Sequence, residues 1–459
     1  MNKYLLVIGI FFLSATSGLA QTTEDSKEES PFNNDPFFSM PFDTWKNQPS
    51  SEGYSDINSR KFAVQLNSNG LDYKGFFTAG PYNSGPLYSL FPSLPMIHYN
   101  RVDELFLGIR KERMQWYHDD DWLGIPDIQL HGLVGYSTGL NEWQYALGLE
   151  KLLGRDHHFM IGGGYHSATA TDDGWRVGLH ETTLTAFTAG YDYLDYYKQQ
   201  GWGAYFLART DRYFQGGIAY LDDRYISLDR QTNWALFDSH SFRLNPPVDF
   251  QNRMPVDTAD VASLTFSASF NPKRLVIAPN FTFSLTGIAE FADPGIGTSD
   301  YSYSKYTGEL ISYINFEPGG VLKYRLRMSS ITGEAPRFKK LYLGGIGTLR
   351  ALPFKVLGAS NRMILSNLEI QFGSPLYSSN GWIDFDDFYL SLFLDSGWVY
   401  STSNDSQSLF DGFEEFTIAD LRHNGGIGIG SNLIRCEVAW DFNNPEQAPV
   451  FWLRLNPTF

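Results

Sequence analysis

Leu343–Lys355 reads LGGIGTLRALPFK and sets one arginine, Arg350, between a glycine-rich run and Pro353. A guanidinium is a planar fork of donors with no acceptor, so its chemistry is bidentate pairing with carboxylate or phosphate. The glycines admit φ > 0 and the proline opposes a helix, so the frame around Arg350 is an ordered loop. Other residues whose types invite chemistry are weaker. His157 and His158 suggest a metal, and YHDDD over 117–121 suggests calcium, but each lacks the further ligands Zn²⁺ or Ca²⁺ requires. Both read as turn residues at a rim. HNGGIGIGS over 423–431 has the glycines of a phosphate loop but no helix after it. The expectation is no catalytic residue, no cofactor and no metal site.

The frame that holds Arg350 has to be read from the rest of the chain. A balance of 51 acidic against 35 basic residues, net −16, argues against nucleic acid as a partner. The lone Cys436 excludes an internal disulfide framework, so packing and hydrogen bonds must hold the fold. Met1–Ala20 has a basic start, an apolar stretch too short to span a bilayer, and small residues at Gly18 and Ala20. It reads as a secretory signal cleaved after Ala20. Residues 21–98 read as an acidic, proline-punctuated and largely flexible segment, with short extended pieces at KFAVQL and KGFFTAG.

From residue 99 the pattern becomes alternation. In VASLTFSASF, Ala262, Leu264, Phe266, Ala268 and Phe270 share a face against four hydroxyl residues. In VLKYRLRMSS, Leu322, Tyr324, Leu326 and Met328 oppose Lys323, Arg325 and Arg327. In IRCEVAWDF, Ile434, Cys436, Val438, Trp440 and Phe442 oppose Arg435, Glu437 and Asp441, and NRMILSNLEIQF repeats the scheme. Period two means strands. A soluble sandwich also alternates, but its strands are mostly 5–6 residues, whereas a tilted membrane strand needs ~9–11. These runs are long and their polar faces carry charges in series, which fits a wet lumen inside a lipid-facing wall. The expectation is an all-β transmembrane antiparallel barrel over 99–459, in contact with outer-membrane lipids. Fifteen runs can be marked, the first at 102–112; even counts are the rule, so sixteen strands are expected, with twelve or fourteen as the alternatives. Residues 180–201 break the alternation and read as helical, with Leu184, Phe187, Tyr191 and Leu194 on one side. That segment lies outside the wall or folds back into the lumen.

The order of elements after residue 320 resembles the C-terminal half of the outer-membrane assembly-factor superfamily, the bacterial surface antigens of BamA, TamA and FhaC type. FWLRLNPTF, with Phe451, Leu453, Leu455 and Phe459 on one face, is similar to the C-terminal assembly signal of such barrels. The resemblance implies a sixth extracellular loop folded into the lumen, with its tip arginine bound to acidic residues of the wall. Gly344 and Gly345 match the glycines before the motif, Arg350 its arginine, Glu369 in SNLEIQF the acidic strand, and Asp395 in FLDSGWVY the next Asp-x-Gly. The alternation puts Glu369 and Asp395 on polar faces, as an arginine drawn inward would need. Leu349-Arg350-Ala351-Leu352 departs from the motif, lacking the glycine and aromatic after the arginine. The segment 21–98 is expected to be too short for POTRA domains. The implied function is to assist insertion or translocation of client outer-membrane or secreted proteins, or of lipids, at the bacterial outer membrane. The alternative is a pore or structural barrel without that activity.

Overall fold

The computed structural model describes residues 94–111, 128–153, 159–209, 213–237, 241–271, 277–278, 280–316, 320–373, 388–402, 408–430 and 434–455. The leader, most of 21–98, the stretches carrying His157, His158 and Tyr117–Asp121, and the terminal Pro457 and Phe459 lie outside them.

Sixteen strands form one antiparallel sheet in chain order. The first seven are β1 (Leu94–Asn100), β2 (Glu104–Lys111), β3 (Ile128–Ser137), β4 (Glu142–Leu153), β5 (Phe159–Ala170), β6 (Tyr197–Arg209) and β7 (Phe214–Ser227). A small hairpin, β8 (Asp249–Gln251) and β9 (Met254–Val256), precedes β10 (Thr258–Phe270), β11 (Phe281–Ala292), β12 (Ser302–Phe316) and β13 (Gly320–Glu334). A two-stranded ribbon, β14 (Leu341–Leu343) with β15 (Leu357–Ser360), interrupts the wall before β16 (Arg362–Phe372). The wall ends with β17 (Tyr389–Tyr400), β18 (Arg422–Gly430), β19 (Ile434–Asp441) and β20 (Val450–Leu455).

The faces are inverted relative to a water-soluble sheet. Phe451 is 73% exposed and Leu453 56%, while Arg435 on the opposite face of the neighbouring strand is 0%. Leu107, Ile161, Ile218, Leu392 and Ile429 face outward in the same way, and Glu150, Asp223, Glu309 and Asn424 are buried inside. A continuous apolar exterior over a polar interior is what hydrocarbon outside and water or polar loops inside select. No helix among the described residues is long and apolar enough to cross a membrane. Strands do the crossing.

The sixteenth strand is β1, which the alternation did not mark. It is short, holds Pro95, and begins at Leu94, so the wall starts five residues before the expected boundary at 99. Proline removes a ladder donor and is confined to edges, and β1 is an edge: no ladder joins it to β20 among the described residues. The segment expected to be helical is so only in part. Helix α1 covers Leu179–Ala189 and stops at Gly190 (φ 75°), and β6 already begins at Tyr197.

The connections after β1, β5, β7 and β13 lie at one end of the wall, as a meander requires, and fold over and into the interior. Lys355 from the β14–β15 loop bonds Asp173 at 2.5 Å and Asp195 at 2.8 Å from the β5–β6 connection. Arg101 of the first turn bonds Asp192 at 3.2 Å and Asp195 at 3.2 Å, and Arg243 after β7 bonds Asp195 at 2.5 Å. Burial alone would raise the Asp195 carboxyl, but Lys355 and Arg243 beside it hold it well below the ordinary carboxylate range. Trp175 reaches the inner wall, with its ring 4.9 Å from the Arg325 guanidinium and 4.2 Å from that of Arg327.

Candidate functional site

The ribbon β14–β15 closes the base of the loop that carries Arg350, with Leu343 opposite Leu357. Beyond it the chain turns at Gly344 (φ 114°), Gly345 (φ 87°) and Gly347 (φ 75°), conformations that L side chains rarely adopt. Space is as strict as φ: a Cβ on Gly344 would meet the Pro353 carbonyl at 2.3 Å, and one on Gly347 the Arg176 carbonyl at 2.1 Å. Thr348 ties the turn by accepting the Gly344 N–H at 3.0 Å and donating to the Gly345 carbonyl at 3.1 Å. The glycine run is therefore a rigid mount, and it delivers Leu349, Arg350 and Ala351 buried against the wall.

Arg350 is 1% exposed and grips Asp395 with both arms, Nε to Oδ2 at 2.8 Å and Nη2 to Oδ1 at 2.9 Å. Its Nη1 donates to Glu437 Oε1 at 3.0 Å and lies 3.5 Å from Glu369 Oε2. The guanidinium lies over the Phe393 ring, 3.4 Å from its centroid. Two backbone contacts lock the register: Ala351 N–H donates to Asn424 Oδ1 at 3.1 Å, and Trp452 Nε1 donates to the Arg350 carbonyl at 2.8 Å. Asn367 bridges loop and wall, donating to the Thr348 carbonyl at 3.0 Å and to Asp395 at 2.8 Å.

The carboxylates are themselves paired. Glu369 accepts from Arg435 Nη1 at 2.6 Å and from Gln371 at 2.7 Å. Glu437 pairs with Arg435 Nη2, and Arg454 Nη1 lies 3.9 Å away. Arg454 bonds Glu181 of α1 at 2.7 Å, and Lys323 sits directly across the ladder from Glu369. The cluster thus sets four cations (Lys323, Arg350, Arg435, Arg454) against four carboxylates (Glu181, Glu369, Asp395, Glu437), all buried. Balance of this kind is what lets buried charge persist, since an unpaired ion costs several kcal/mol.

Of the residues expected from sequence, Gly344, Gly345, Arg350, Glu369 and Asp395 meet at one place. Phe451 and Leu453 face outward on β20. Sequence reasoning marked Arg435, Glu437 and Lys323 as polar-face residues without assigning them to Arg350, because alternation gives the face of a residue and not its height along the wall. Phe393 left a readable signal, an aromatic on the face it shares with Ser391 and Asp395. Gly426 opposite makes room for it, since a Cβ there would meet the ring at 2.2 Å. Among the described residues no group of three or more His, Cys, Asp or Glu is arranged to hold a metal.

With this geometry in view, the chain can be compared with known proteins. It is similar to the crystal structure of BamA from Haemophilus ducreyi lacking POTRA domains 1–3, with a TM-score of 0.48 and 16% identity over 78% of this chain and 67% of that one. CdiB from Acinetobacter baumannii gives 0.41 and 10% over 76% of this chain, and CdiB from Escherichia coli 0.40 and 11% over 78%. The chain spans 56% and 59% of those two CdiB chains. At these identities the likeness is one of fold. No family model matches the chain, and no curated protein matches it by sequence.

Proposed function

We propose that the chain is an outer-membrane barrel of the assembly-factor type, which assists insertion or translocation of client proteins at the bacterial outer membrane. The observation that carries this reading is the loop tip pinned by Arg350 to strands from the last quarter of the sheet, ending on Trp452 of the edge strand β20. Pinning fixes the interior face of β20 while its outer flank carries no ladder partner among the described residues. An edge held in register by its own loop is a template on which an incoming strand can add by main-chain hydrogen bonds. Phe451 and Leu453 belong in this reading to the signal by which the barrel is itself assembled, and lipid is its surrounding partner.

The test is a client-folding assay in liposomes. The purified protein is expected to accelerate the folding of an unfolded outer-membrane barrel over empty liposomes, and Arg350→Ala to lose most of that gain. Equal rates with and without the protein would refute the reading. The pore alternative is tested separately by single-channel recording. Because Trp175, Arg176 and the Arg350 loop occupy the interior, a steady large conductance unchanged in Arg350→Ala would favour a pore.

A further inference from the structure

Helix α1 touches both ends of the sheet, on opposite faces. At its start, Glu181 bonds Arg454, which belongs to the lumenal face of β20 with Trp452 and opposite Arg435. In its last turns, Phe187 packs edge-on against Tyr99 of β1 at 5.6 Å. Tyr99 pairs with Leu105 and, two residues from the outward Ile97, shares its outer face, yet it is only 4% exposed because α1 and the β7–β10 connection cover it. The helix therefore runs from the interior through the gap between β1 and β20 to the exterior. A helix about 10 Å across cannot fit between strands at the ~4.8 Å spacing of a ladder, so at this level the two edges are held apart by it.

From this geometry we infer that α1 is a stave of the barrel wall, and that its outer stripe is a surface for the acyl chains of the bilayer. The inference rests on the membrane-barrel reading above. Leu184 and Phe187 lie one turn apart on α1 and are 44% and 37% exposed, and Trp234 and Phe237 extend the patch at 51% and 71%. The stripe continues the outward band of β1 and β20. No charged residue occurs from Thr182 to Tyr191. Two hydroxyls along this stretch are met within the helix: Thr185 donates to the Glu181 carbonyl at 2.9 Å and Thr188 to that of Leu184 at 2.6 Å. The last-turn carbonyls of Phe187 and Thr188 accept the N–H groups of Leu236 and Phe237 at 2.8 and 3.0 Å. A helix end in water leaves those carbonyls to solvent; one in hydrocarbon must satisfy them internally.

Site-directed spin labelling of the full chain in liposomes tests this. In a Cys436→Ser background, single labels go on Leu184→Cys and Phe187→Cys, on Leu453→Cys as the lipid reference, and on Glu415→Cys in an exposed loop as the water reference. Collision with oxygen is expected to exceed collision with a water-soluble nickel chelate by a similar ratio at 184, 187 and 453, at least several-fold above the ratio at 415. Either helix label supports the inference if the other variant fails to insert. Water-like ratios at 184 and 187, with 453 lipid-like, overturn the stave and leave the barrel standing. A water-like ratio at 453 overturns both.

Discussion

Replacing Arg350 by alanine removes a densely bonded cation of the lumen, and the structure sets the size of the loss. Two bonds to Asp395 and one to Glu437 are lost, at 2.8, 2.9 and 3.0 Å. At roughly 1.5–3 kcal/mol for each hydrogen bond to a charged group, the gross loss is about 4–9 kcal/mol. Relief from burying the guanidinium returns several kcal/mol, so the net cost falls near the ~3–5 kcal/mol typical of breaking a buried pair. That is about a hundred- to four-thousand-fold in the docking equilibrium of the tip. Asp395 would keep Asn367 at 2.8 Å, and four carboxylates would face three cations. Urea unfolding in detergent micelles, followed by tryptophan fluorescence, measures the cost. Asp395→Asn in the Arg350→Ala background restores three against three, so the double variant should be less destabilised than the sum of the singles by at least ~1.5 kcal/mol, well outside the scatter of independent sites. Arg350→Lys keeps the charge but not the fork and should fall between the two. Effects that add to within ~0.5 kcal/mol, or an unchanged Arg350→Ala, would refute the pairing as the tip's anchor.

Three further outcomes follow from the same coordinates. Gly426→Ala should cost about 1–3 kcal/mol in the same unfolding assay, because the new methyl meets the Val438 carbonyl at 2.1 Å and the Phe393 ring at 2.2 Å, whereas Gly287→Ala, with nothing within 4 Å, should stay within about 0.5 kcal/mol. Glu181→Gln should weaken the hold of α1 on β20, read as more frequent transient conductance openings than in the parent, while Thr183→Ser should leave the record unchanged. The cap of loops should loosen in acid: Asp195 has a depressed carboxyl, so its contribution is complete above the ordinary value of about 4 and fades as pH falls below it. The urea midpoint should drop between pH 7 and 3, and Asp195→Asn should be weaker at pH 7 with a flatter profile.

How much of this was legible in the sequence depends on whether the information is local. Alternation is local, and it gave the faces of β10, β13, β16 and β19 because hydrocarbon outside and charge inside impose period two on every long strand. It failed at β1, whose seven residues include a proline and whose outward Tyr99 is covered by α1 and not by lipid. Arg350 was legible because a run of glycines and a lone arginine are both visible in thirteen letters. Glu369 and Asp395 were legible as its ligands through the resemblance and Glu437 only as a polar-face residue, and bringing the three to one height takes the registers of β16 through β19, which no single strand encodes.

The helix shows the same limit from the other side. Its apolar stripe reads at once from Leu184 and Phe187, and in a soluble protein such a stripe would face the core. Here it is the charged side, at Glu181, that faces inward, because the interior of this wall holds guanidinium groups and the exterior holds oil. Periodicity therefore fixes the two faces of α1 but not their sense, and the sense is set by Arg454, some 270 residues further along the chain. A segment that breaks the strand pattern between β5 and β6 can become part of the wall only where two edges are left unpaired. Its apolar stripe and the short, proline-bearing first strand are then two consequences of one feature, a seam held apart by a helix.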